Sequence, residues 1–106
     1  MLFELRQYRA QPGRRDDLAR LMEEVVIPFQ ASKGMVVAGS FVGESDPDLY
    51  VWIRRFQDEQ DRERLYEAVY ESEHWKNEIA PRVGEVLDRE KIVVTRLLPT
   101  PRSVLR

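Results

Sequence analysis

Cysteine is absent from the 106 residues of the chain, which excludes disulfides and thiolate metal ligands. Histidine occurs once, so a group of imidazoles that could converge on a transition metal is excluded as well. No segment approaches the roughly 20 apolar residues of a membrane span, and the first residues lack the basic and apolar regions of a signal peptide. We therefore expect a cytoplasmic protein with no metal site and no membrane partner.

An excess of positive charge is also missing. The sequence has 17 basic and 19 acidic residues in an interleaved order, with a net charge of −2. Such a balance predicts a solvated, ion-paired surface and no nucleic-acid partner. The five glycines are dispersed, and no phosphate loop, dinucleotide fingerprint, nucleophile elbow or zinc signature is present. The motifs thus predict no cofactor.

Hydrophobic periodicity divides the chain into alternating strands and helices. The predicted order is a strand, a helix, two strands that form a hairpin, a helix with an irregular extension, and a last strand: residues 2–9, 14–33, 35–42, 49–56, 58–71 with 72–88, and 91–98. Asp58 is the predicted N-cap of the second helix, and Pro28 and Pro81 are expected to interrupt regular helix. This order predicts an α+β fold, the ferredoxin-like split βαβ arrangement with a four-stranded antiparallel sheet. One domain is expected over residues 1–99, followed by a C-terminal tail, 100–106.

Two of the predicted strands carry an unusual face of charged and aromatic residues. The helices cover only one side of such a sheet, and we expect this face to lie on the other side. Tyr, Trp and Arg are enriched at protein interfaces. Tyr50 and Trp52 would together form an exposed aromatic patch if no partner covered them. The sequence therefore predicts a homodimer whose interface includes Glu4, Arg6, Tyr8, Tyr50, Trp52 and Arg54. The alternation does not decide which face of the last strand joins them.

The sequence resembles the NIPSNAP family, a branch of the dimeric α/β-barrel superfamily. The resemblance rests on Glu4–Tyr8 followed by Pro12-Gly13, on Val25–Pro28, on Leu49–Trp52, and on residues 73–75, where a histidine replaces the usual proline. It implies two subunits whose sheets face each other in a closed barrel. Relatives in the superfamily include cofactor-independent monooxygenases, haem-degrading enzymes, isomerases and cyclases, so the resemblance implies no single reaction.

The broken helix around Pro81 could leave a gap over the sheet, and this gap is the predicted small-molecule pocket. Tyr66, Tyr70 and Trp75 are the predicted ligand-binding residues, and His74, also expected to line the pocket, is the predicted catalytic acid or base. The alternatives are that the tyrosines only shield the core and that the lone histidine is solvated.

Two functions follow from these observations. The first is the binding of a small organic molecule, with proton transfer or cofactor-independent oxygenation as the chemistry of a monooxygenase or isomerase. The second is a non-catalytic homodimeric binding or scaffold module, which predicts a packed interior without a cavity.

Overall fold

The computed structural model describes residues 1–106 as four strands and two groups of helices. The strands are β1 (Leu2–Arg9), β2 (Val36–Val42), β3 (Leu49–Phe56) and β4 (Val93–Leu97). The helices are α1 (Arg15–Leu21), α2 (Ile27–Ser32), α3 (Glu59–Tyr70) and α4 (Ala80–Val86), with π-helical segments at Met22–Val26 and Trp75–Ile79 and a 3₁₀ turn at Arg89–Lys91. The element order predicted from the sequence is confirmed.

The sheet is antiparallel throughout, with strand order β2-β3-β1-β4. This is the ferredoxin-like arrangement, because the two central strands are β1 and β3 and the helices pack on one face. We call the helix-packed side of the sheet the covered face and the other side the open face. None of the helices combines the length and the apolar character that a membrane crossing requires.

The six predicted interface residues lie on the covered face, and their assignment to a subunit interface is wrong. Strand pairing sets Glu4 opposite Arg54, Arg6 opposite Trp52 and Tyr8 opposite Tyr50, so the six share one face. Five of them are buried within the single chain, and Glu4 and Arg54 have 0% exposed surface. The prediction treats their charges as a sign of exposure, whereas in the fold Glu4 and Arg54 form an ion pair beneath the helices.

The hydrophobic core forms between the covered face and the helices. Its larger cluster joins Tyr8, Tyr50 and Trp52 of the sheet to apolar residues of the helices, namely Leu18, Leu21, Met22, Val26, Ile79, Val83 and Val86. A smaller cluster joins Phe56 to the inner side of α3 through Leu65 and Val69. The aromatic residues of the central strands are thus core residues, not interface residues.

The open face is the apolar side that the sequence assigned to the core. Leu5 pairs with Ile53 and with Thr95, and Gln7 pairs with Val51 and with Val93. On β4, therefore, Val93, Thr95 and Leu97 lie on the open face. The C-terminal tail covers one end of this face: the Arg55 Nε donates to the Arg106 carbonyl oxygen over 2.7 Å, and Phe3 is only 4% exposed.

Both π-helical segments end two residues before a helical proline. The Ile27 amide donates to the Met22 oxygen and the Ala80 amide to the Trp75 oxygen, and Pro28 and Pro81 follow. Proline has no amide hydrogen and its ring collides with the carbonyl four residues earlier, so a wider preceding turn relieves the strain. The prolines predicted to interrupt the helices instead convert one turn of each to π-helix.

Candidate functional site

A cavity of about 180 Å³ lies between the covered face and the helices. Its walls come from both sides: the sheet supplies Arg6, Tyr8 and Trp52, and the helical side and the chain that follows it supply Met22, Val26, Tyr66, Tyr70, Trp75, Val83, Leu87, Arg89 and Ile92. Five of these side chains are aromatic and the two charged ones are both arginine. The site is therefore an aromatic cavity with positive charge in its wall.

The π-helical segments shape this cavity. Met22 and Val26 belong to the first segment and Trp75 to the second, and all three contribute to the lining. A π-helical turn shifts the side chains that follow it relative to a regular helix, and such turns are frequent at functional sites. Pro28 and Pro81 thus act on the cavity indirectly, through the turns that precede them.

Three of the predicted site residues meet at this cavity. The rings of Tyr66 and Tyr70 have centroids 5.1 Å apart, and Trp75 meets Tyr70 edge-on at 4.9 Å. These rings form one continuous aromatic wall that α3 and the second π-helical segment hold in place. Tyr66, Tyr70 and Trp75 therefore lie where the sequence predicted a pocket.

His74 is not at the cavity. Its side chain is exposed, does not contribute to the lining, and packs its ring against Phe29 with centroids 5.1 Å apart. The prediction that His74 lines the pocket beside Tyr70 and Trp75 is wrong. Consecutive residues of a helix point about 100° apart, so a helix that directs the Trp75 indole into the cavity leaves the preceding imidazole outside. An exposed imidazole outside the lining does not face a molecule in the cavity.

A buried ion network supports the aromatic wall. Arg54 Nη2 donates to Glu4 Oε1 over 2.7 Å, and Arg62 Nε donates to Glu4 Oε2 over 2.6 Å. The Tyr66 hydroxyl donates to the same carboxylate, with both oxygens at 2.7 Å. Charge-assisted bonds of this kind are the strongest that side chains form, and here they satisfy a carboxylate with 0% exposed surface.

Arg54 extends the network to the second tyrosine. Its Nη1 donates to the Tyr70 hydroxyl over 2.7 Å and to Oε1 of the buried Gln30 over 2.9 Å. Its guanidinium carbon also lies 4.7 Å from the centre of the Trp52 ring, a cation–π distance. Arg54 thus fixes residues of the cavity wall on both the sheet and α3.

The protonation states of the network follow from its surroundings. Burial alone would raise the pKa of Glu4, but Arg54 and the hydrogen bonds from Tyr66 and Arg62 lower it below its usual 4.5. Burial raises the pKa of Tyr66 to about 12, so its phenol stays protonated at neutral pH. At neutral pH Glu4 is therefore an anion and Tyr66 a neutral donor, and neither is a free base facing the cavity.

Arg6 is a cation of the cavity wall that forms no short ion pair within the protein. Its Nε donates to the Tyr8 hydroxyl over 3.1 Å, and its Nη1 donates to the Tyr66 hydroxyl over 3.4 Å. Its nearest carboxylate oxygen, on Glu4, is 3.7 Å away and already accepts from Arg54 and Tyr66. Arg6 therefore faces the cavity without a counterion of its own.

The residues that line the cavity do not form a metal site. No group of three or more His, Asp or Glu side chains converges anywhere in the chain, and no carboxylate or imidazole lines the cavity. The arrangement is suited to holding the ring and the polar end of a small organic molecule.

Sequence reasoning missed that Arg6, Tyr8 and Trp52 belong to the site. The alternation did place them on one face, but the choice of face was wrong. Complementary charge could have indicated the correct face. Glu4 and Arg54 lie at paired cross-strand positions, and a carboxylate and a guanidinium can be buried together because they form an ion pair.

Solved structures show the same fold over almost the whole chain. A NIPSNAP family protein from Agrobacterium tumefaciens is 27% identical, with a TM-score of 0.85 and coverage of 99% of this chain and 98% of that one. Another from that organism, titled as having unknown function, is 22% identical, with a TM-score of 0.88 and coverage of 100% and 94%. A structure titled antibiotic biosynthesis monooxygenase is 20% identical, with a TM-score of 0.67 and coverage of 95% and 100%.

A search of curated proteins gives no match. The sequence model of the NIPSNAP family, in contrast, matches residues 3–103, which include every helix, the whole cavity lining and every strand apart from Leu2, the first residue of β1. The resemblance first seen in the opening strand therefore extends over nearly the full length, and the chain belongs to the NIPSNAP family.

Proposed function

We propose that this protein binds a small organic molecule in the aromatic cavity between the covered face and the helices. The observation that carries the proposal is the cavity itself, which Tyr66, Tyr70 and Trp75 line as the sequence led us to expect. A scaffold module with no ligand would be expected to pack this space with side chains.

The dimensions of the cavity support a ligand of about one ring. Its volume of about 180 Å³ is below the usual range for drug-sized ligands, roughly 300–1,000 Å³, and close to that of an engineered cavity of about 150 Å³ that holds benzene. Aromatic walls with a few polar groups are typical of such binding sites. The best-fitting class is thus a compact aromatic molecule.

A cofactor-independent monooxygenase or isomerase is the second candidate. It is favoured by the fold shared with the structure titled antibiotic biosynthesis monooxygenase, a likeness of fold alone at 20% identity. Both chemistries need a group that takes a proton from the substrate. The lining includes no carboxylate or imidazole, and the phenol of Tyr66, with a pKa of about 12, is a poor base. Binding is therefore the function that the geometry supports best.

Tryptophan fluorescence tests the proposal, because both tryptophans of the chain, Trp52 and Trp75, line the cavity. We expect single-ring aromatic compounds to change this emission saturably. Val83→Leu adds a methylene to the cavity wall and should weaken binding. Val86→Leu adds the same group to a buried position of α4 outside the cavity lining, so affinity should persist although both variants lose stability.

The contradicting result is equally clear. Emission that no single-ring compound changes, or an affinity that Val83→Leu and Val86→Leu lower equally, would refute a ligand in this cavity. Circular dichroism of each variant should show that the fold is retained.

We also propose that two copies pair through their open faces. This face carries apolar side chains with much exposed surface, including Phe41 at 55%, Val93 at 52% and Leu97 at 41%. An apolar sheet surface of this kind usually marks an interface. Pairing the same face of two copies gives a closed, symmetric dimer, the barrel that the family resemblance implies.

A further inference from the structure

We propose that the ligand of the cavity is a small aromatic anion, such as an arene carboxylate, and that Arg6 binds its acidic group. This inference rests on the proposed function, because it requires that the cavity binds a ligand. It adds the charge of the ligand and the residue that selects it.

Positive charge exceeds negative charge in the buried cluster beside the cavity. Three guanidinium groups, on Arg6, Arg54 and Arg62, lie within 4 Å of one carboxylate, that of Glu4. Arg62 has a second, exposed partner in Glu59, whereas Arg54 and Arg6 have Glu4 alone. The buried cluster next to the cavity thus has more positive than negative charge, and buried charges normally carry a counterion. An anion in the cavity would supply it.

Arg6 also has unused hydrogen-bonding capacity. A guanidinium group has five N–H donors, and within the protein Arg6 uses its Nε toward Tyr8 and its Nη1 weakly toward Tyr66. Its Nη2 donates to no protein group, and its side chain keeps 16% of its surface exposed. The fork of Nη1 and Nη2 matches the two oxygens of a carboxylate.

The other residues of the cavity lining carry no negative charge that would repel an anion. The other charged residue of the lining is Arg89, whose Nη2 donates to the Ala80 oxygen over 2.8 Å. The phenol of Tyr66 remains neutral, and Glu4 lies behind the arginines.

The aromatic part of the ligand would pack against the opposite wall. Tyr70 and Trp75 meet edge-on there, and the remaining contacts are apolar, from Met22, Val26 and Val83. A carboxylate attached directly to a ring combines both requirements in a molecule that a cavity of about 180 Å³ can hold.

Benzoate and its neutral isostere benzamide test the inference on the wild-type protein. Calorimetric titration at neutral pH should show benzoate binding at least about tenfold more tightly, as expected for a charge-assisted bidentate contact. Equal affinities would overturn the inference and leave the proposed function standing. If neither compound binds, the proposed function fails and the inference fails with it.

Two variants assign the selectivity to a residue. Arg6→Gln should reduce the preference for benzoate to about twofold or less while benzamide still binds. Arg89→Gln removes the other cation of the lining and should change the preference little. Loss of selectivity in Arg89→Gln with Arg6→Gln unaffected would contradict the role of Arg6. Should Arg6→Gln not fold, the comparison of the two probes on the wild type still decides the charge of the ligand.

Discussion

Glu4 is the central residue of the buried ion network. A carboxylate without exposed surface is expensive to desolvate, and here Arg54, Arg62 and the Tyr66 hydroxyl repay that cost with short hydrogen bonds. The same bonds connect β1, β3 and α3. One residue therefore joins the sheet to the helix that forms the aromatic wall of the cavity.

Replacing Glu4 with Gln should destabilise the protein strongly. The substitution keeps the size of the side chain but leaves the fully buried Arg54 without a counterion, a loss of roughly 3–5 kcal/mol in similar buried pairs. Because the pKa of Glu4 is lowered in the fold, its stabilisation is present above about pH 4.5 and is lost as pH falls further. Urea unfolding at pH 7 and at pH 3.5 should thus show a gap between wild type and variant that narrows in acid.

Glu44→Gln is the matched control for this prediction. Glu44 is an exposed loop residue that forms no ion pair, so its substitution should leave the free energy of unfolding nearly unchanged at both pH values. A Glu4→Gln variant as stable as wild type at pH 7 would show that the buried network contributes nothing.

At the scale of elements, the N-cap of α3 and the two helical prolines determine where the residues of the cavity wall lie. Asp58 has extended backbone angles, and its side chain accepts from the Asp61 amide over 2.8 Å, so it caps α3 as the sequence predicted. The cap fixes the start of the helix from which Arg62, Tyr66 and Tyr70 project. Pro28 and Pro81 follow the two π-helical turns, which supply Met22, Val26 and Trp75 to the lining.

Removal of the cap should weaken α3 measurably. We expect Asp58→Ala to lower the free energy of unfolding by about 1 kcal/mol, whereas Asp58→Asn, which keeps an acceptor oxygen, should lower it much less. Denaturant unfolding followed by circular dichroism provides the measurement. Equal losses in the two variants would argue against a capping role.

The sequence predicted the elements well because their signals are local. Apolar residues three and four apart marked the helices, alternation marked the strands, and Asp58 marked a helix start. It predicted Tyr66, Tyr70 and Trp75 at a pocket for the same reason, since the break around Pro81 is a local feature. The face of the sheet on which Arg6 and Trp52 lie is a tertiary property, and alternation alone gives two faces without saying which one is covered.

The error over His74 has a similar origin. A lone histidine between Glu73 and Trp75 has no periodic pattern to orient it, and tertiary packing decides which side of this helical segment faces the core. The ion network could be anticipated only from the charge complementarity of Glu4 and Arg54 across two strands. Such pairs become visible once the strand register is known.

At the scale of the whole molecule, the two faces of the sheet have separate roles. The covered face holds the ion network and the cavity, and the open face is the proposed surface for a second copy. Phe41 and Val42 are neighbours on β2 with 55% and 49% of their surface exposed, and they lie on opposite faces because they pair with Val51 and Tyr50. They therefore provide a matched test of the dimer.

Sedimentation velocity should show a dimer for the wild type and for Val42→Glu, and a monomer for Phe41→Glu. A charge on the open face would be buried without a partner in the dimer, whereas a charge at Val42 would stay in water. A monomeric wild type, or dissociation by both substitutions alike, would contradict pairing through the open face.

The central claim is the place at which a ligand binds, and anomalous diffraction from crystals soaked in 4-bromobenzoate tests it most directly. The account predicts a bromine peak inside the cavity, beside Tyr70 and Trp75, with the carboxylate on Arg6. A peak in the surface groove between Phe3 and Leu105, where the tail crosses the sheet, or no ordered bromine in either place, would contradict it.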